Sequence, residues 1–92
     1  MDMLEKTLDY LDNEYKDFRM FLSRQIDAPS IPSRDEERAL IDRTAKSTLS
    51  RCMGVVMFVQ SIGVNYNDIK EPYEVLKQEI NQLTKTVKES IR

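Results

Sequence analysis

Histidine is absent from the 92 residues. That removes the side chain that titrates near neutral pH and most often serves as general base or metal ligand, so an enzyme is not expected and no cofactor or metal is assigned. Cysteine occurs once, at Cys52, so no disulfide can close within the chain, and a reducing cytoplasm is the expected compartment. The two glycines, Gly54 and Gly63, do not share a loop, which leaves neither a dinucleotide fingerprint nor a P-loop. Long apolar runs are also missing. The longest, Cys52 to Val59, is too short to span a bilayer, and the start Met1-Asp2-Met3-Leu4 is acidic where a secretion signal is basic. Fourteen Lys and Arg against sixteen Asp and Glu give a net charge of -2, without the broad positive field of a nucleic-acid or anionic-membrane binder.

What is present is helical grammar. Asp2 with Glu5, Ser33 with Glu36 and Asp68 with Glu71 each pair a capping residue with a glutamate three positions on, the reciprocal arrangement that starts helices. Apolar side chains then recur at spacings of four and three. In the first helix they are Leu4, Leu8, Leu11, Tyr15, Phe18, Leu22 and Ile26; in the second Ile41, Ala45, Thr48, Cys52, Val55, Val59 and Ile62; in the third Ile69, Tyr73, Leu76, Ile80, Leu83, Val87 and Ile91. Pro29 and Pro32 separate the first two helices, and Gly63 supplies a left-handed stop after the second. Pro72 leaves two starts open for the third, a cap at Asp68 or a first helical position at Pro72 itself. The pattern predicts helices over 3–26, 34–62 and 69–91 in one domain spanning 1–92.

Short connections favour antiparallel neighbours, so the expected fold is an all-α, antiparallel three-helix bundle running up, down, up. Side-chain size supports it. Bulky Tyr15, Phe18, Phe21 and Leu22 late in the first helix would face small Thr44, Ala45 and Thr48 early in the second, which fills a layer at native density.

The second helix carries more apolar surface than its two neighbours can cover. Between Cys52 and Val59 it is apolar all round, and Ser47, Ser50, Met53, Gly54, Met57, Phe58 and Ser61 lie away from its inward stripe. A row of small residues about a glycine admits a second helix closely, and methionines adapt to what meets them. The expectation is a homodimer in which this helix crosses its symmetry mate near Gly54. The competing expectation is that the loop at 64–66 or the chain termini fold over Met57 and Phe58.

Other constellations carry less. Arg34, Arg38, Arg43, Lys46 and Arg51 are a candidate phosphate-contacting set for a nucleic-acid-associated regulator, but Asp35, Glu36, Glu37 and Asp42 are interleaved with them and no aromatic stands among them to stack on bases. Glu5, Asp9 and Asp12 share a helix face without the converging loop that oxygen-ligated cations need. Cys52 falls on the inward stripe, where a thiol behaves as a small apolar group. Tyr10, Met20 and Tyr66 stand off the stripes, with Tyr66 read as part of the linker before the third helix. The functional expectation is a small, non-enzymatic protein-binding or regulatory module, acting through a helix face on itself or on another protein.

Overall fold

The computed structural model describes residues 2–27 and 33–91. Three helices are present, α1 (Met3–Asp27), α2 (Arg34–Ser61) and α3 (Tyr66–Ser90), and each packs against both others. This is the all-α, antiparallel three-helix bundle expected from the sequence, with extents of 46 × 19 × 16 Å. The Pro29 and Pro32 linker lies outside the described residues.

Two helix starts follow the capping pattern. Asp2 Oδ1 accepts the Glu5 backbone N–H at 2.8 Å, and Ser33 Oγ accepts that of Glu36 at 3.3 Å, each satisfying a donor that the first turn leaves free. The end of α2 is equally local. Gly63 adopts φ 109, the Gly63 N–H donates to Gln60 O, and the Val64 N–H donates to Val59 O. Together these form a Schellman motif, which folds Val64 back against the core.

The start of α3 departs from both expected positions. Asn65 is the cap, its Oδ1 accepting the Asn67 N–H at 2.9 Å, so that Asp68 lies inside the first turn and Tyr66 is the first helical residue, half-buried, instead of a linker residue. Pro72 consequently sits inside α3. Its ring costs the helix one early hydrogen bond, at Asp68 O, and both residues are exposed, so water can reach the orphaned carbonyl.

The core is Leu11, Phe18 and Leu22 from α1, Ile41, Ala45, Cys52, Val56 and Val59 from α2, and Ile69, Tyr73, Leu76, Ile80 and Val87 from α3. Three stripe positions shift. Gln25 is buried and Ile26 is exposed at the end of α1, Val56 lies deeper than Val55, and Ile62 is exposed as the cap residue ending α2. Thr7, Thr48 and Thr84 are also buried; each hydroxyl donates to the carbonyl four residues back, which lets a polar side chain occupy the core.

Polar contacts fix how the helices sit. Arg51 Nη2 on α2 meets Glu14 Oε2 on α1 at 2.8 Å, with Arg51 Nε at 3.2 Å from the same oxygen. Antiparallel packing with those residues level brings Phe18 to about the height of Thr48 along the bundle, both of them buried. On the other flank Lys88 Nζ lies 2.8 Å from Asp42 Oδ2 and 2.9 Å from Oδ1. Arg38 Nε donates to Lys88 O at 3.5 Å and its Nη2 to Ile91 O, so a guanidinium from α2 closes the last turn of α3.

Candidate interaction face on α2

With α1 and α3 held on two flanks, α2 presents its third side outward. Ser47, Ser50, Met53, Gly54, Met57, Phe58 and Ser61 are all exposed there, Met57 at 62% and Phe58 at 61% of full accessibility. Exposed Ile62 extends the patch at its C-terminal end. No described segment folds over it. Val64 and Tyr66, the expected cover, instead pack against the core, because the Schellman turn directs the chain inward at once.

Gly54 sits mid-helix in ordinary helical geometry, and a methyl group built on it would meet nothing within 4 Å. A glycine there costs a helix about 0.5–1 kcal/mol relative to alanine. Among the described residues nothing occupies that space. Charge is missing as well: from Arg43 to Ile62 there is no acidic residue, and the only cations are Arg43, Lys46 and Arg51, although 33% of the chain is charged. The Arg51 side chain turns away to Glu14, so the middle of the face is uncharged.

The basic residues of α2 do not converge. Arg38 is committed to α3 and, through Nη1, to Asp35 Oδ1 at 3.4 Å; Arg51 is committed to Glu14 and, through Nη2, to Thr48 Oγ1 at 3.3 Å. Only Arg34, Arg43 and Lys46 of the five form no salt bridge among the described residues. Sequence reasoning took Arg38 and Arg51 as surface charges because their partners lie 53 and 37 residues away.

Cys52 faces the core with no exposure, and burial pushes its thiol up to about 11, with Glu14 adding to the rise and Arg51 opposing it. It is protonated and enclosed at neutral pH. Among the described residues no three His, Cys, Asp or Glu side chains gather as a metal-binding group, and no helix is long and apolar enough to cross a membrane. On the side away from α2, Leu8, Leu11, Tyr15, Pro72, Val75 and Leu76 line an open groove of about 340 Å³ between α1 and α3. Of its two flanking carboxylates, Asp12 is paired with Lys16 at 2.8 Å, and Glu79 stands near Tyr15, whose hydroxyl pKa is raised first by burial and then by that carboxylate.

Searches against protein-family models, curated proteins and solved structures return no match to this chain. Its chemistry must therefore be read from its own surface.

Proposed function

We propose that this protein is a small, non-enzymatic interaction module of the cytoplasm that recognises a helix through the outer face of α2, and that it does so as a homodimer. One observation carries the reading: Met53, Met57, Phe58 and Ile62 are exposed on the same stretch of α2 as Gly54, where an added methyl would meet no described residue within 4 Å. A water-facing helix side of this length ordinarily carries charges of both signs, and contiguous apolar surface on a folded protein marks a contact site. A face whose middle carries no charge can meet its own copy there without repulsion, and two-fold pairing of one patch with itself is the commonest route to an oligomer. A standard interface takes about 800 Å² from each partner, roughly an eighth of the 6143 Å² this chain exposes.

Sedimentation equilibrium across a wide concentration range tests the proposal. The wild type is expected to pass from the 10.8 kDa monomer to twice that mass, and Phe58→Asp to remain monomeric with an unchanged unfolding temperature in dilute solution. A wild type that stays at monomer mass up to millimolar concentration would overturn it.

A further inference from the structure

The same face contains the information that sets how two copies meet. We infer that the α2 helices of a pair lie antiparallel about a two-fold axis at Gly54, with each Phe58 seated among the partner's Ser47, Ser50 and Gly54 and each Arg43 reaching the end of the partner's α2. This rests on self-association through α2, as proposed above, and adds the direction and register.

Two features of the chain select that arrangement. The first is shape. With the axis at Gly54, residue 58 of one copy is level with residue 50 of the other, and residue 61 with residue 47. At about 100° per residue, Phe58 then points into the space bounded by positions 47, 50, 51 and 54 of the facing helix, the four-residue hole into which a knob packs. Ser47, Ser50 and Gly54 leave that hole open, and Arg51 bends back to Glu14 and keeps its head out of it. The largest exposed side chain of the face meets its emptiest stretch.

The second feature is charge. The last turn of α2 has no basic residue to balance the negative pole of the helix, whereas α1 ends with Arg24 and α3 with Lys88. Arg43 and Lys46, exposed and without an ion pair among the described residues, sit level with residues 65 and 62 of the partner. Each copy thereby supplies the cations that the other lacks.

Those contacts in turn set the crossing angle. Lys46 is about 12 Å from the axis, and a shallow crossing of about 20° separates it sideways from the partner's helix end by only about 4 Å, within reach of its side chain. The steeper crossing of about 50° would separate them by about 10 Å. A parallel pair fails on both earlier counts, since it sets Arg43 against Arg43 and Lys46 against Lys46, and places Phe58 on Phe58 with the serine hole unfilled.

Cysteine cross-linking decides the register. Ser47→Cys and Ser61→Cys lie on exposed positions, and buried Cys52 is the internal control that should stay unlinked in the wild type. In the antiparallel pair, positions 47 and 61 of different copies are adjacent, while the two copies of position 47 are about 21 Å apart, far beyond the roughly 7 Å that a disulfide spans. Oxidising an equal mixture is expected to give the mixed dimer at least tenfold over either self-linked species. Self-linked Ser47→Cys as the main product, or a dimer by mass with no cross-link, would overturn the register while leaving self-association standing. A chain that is monomeric by mass and unlinked would remove both.

Discussion

Replacing Gly54 by alanine should strengthen the single chain and weaken the pair, and opposite signs from one methyl group are hard to produce in any other way. Within the monomer the added group meets no atom within 4 Å and the backbone is already helical, so the change only removes the conformational freedom that glycine brings to the unfolded chain. The expected gain is about 0.5–1 kcal/mol, which raises the unfolding temperature of a domain this size by about 2–8 °C. In the proposed pair two methyls would enter a helix crossing centred on Gly54. Overpacking of that kind costs about 1–3 kcal/mol, or a dissociation constant weaker by about 5-fold to 150-fold. Thermal unfolding below the dissociation concentration reads the first effect, and sedimentation reads the second. A lower unfolding temperature in dilute solution would mean that part of the chain already occupies the space above Gly54. An unchanged dissociation constant would place the crossing elsewhere.

Gly63→Ala should lose about 1–2 kcal/mol in urea unfolding, because φ 109 is a conformation that L side chains resist and no second residue is available to turn the chain into the core. The Arg51 and Glu14 pair should respond unequally: Glu14→Gln leaves an arginine that is 54% exposed and is expected to cost under about 1 kcal/mol, whereas Arg51→Met leaves a carboxylate only 15% exposed and should cost about 1–2 kcal/mol by the same measurement. Cys52 is expected to react with a thiol reagent only as fast as the native chain opens. Above pH 9 the unfolded thiol ionises while the buried one, held up to about 11, does not, so the unfolded state releases protons first and native stability falls with pH. Measured against Cys52→Ala, that loss should reach about 2 kcal/mol by pH 11; a pH-independent difference between the two proteins would show that the thiol is not enclosed.

Local signals in this chain were readable and distant ones were not. Asp2, Ser33 and Gly63 act through hydrogen bonds to residues three to five positions away, and a sequence displays such pairs side by side. The start of α3 was misread because Asp68 with Glu71 repeats the capping pattern of the other two helices. Asn65 caps three residues earlier, and the helix tolerates Pro72 where its orphaned carbonyl reaches water. Choosing Ile26 over Gln25 followed hydrophobicity where the helical phase, drifting along α1, had already turned the glutamine inward. The surplus apolar surface of α2 was legible because eight consecutive apolar residues must face every direction. The commitments of Arg38 to α3 and of Arg51 to α1 depend on how the helices come together, which no local pattern encodes.

Those same commitments determine whether the greasy side of α2 can ever be hidden. A helix with apolar groups around its whole circumference would otherwise be free to roll about its long axis and swap Phe58 for Val56 against its neighbours. Here Arg51 grips α1 from one flank, while Asp42 and Arg38 grip α3 from the other, so a roll in either direction must break contacts on both sides at once. Together they bias the rotational setting of α2 toward the one seen, with Val56 inward and Phe58 facing the water.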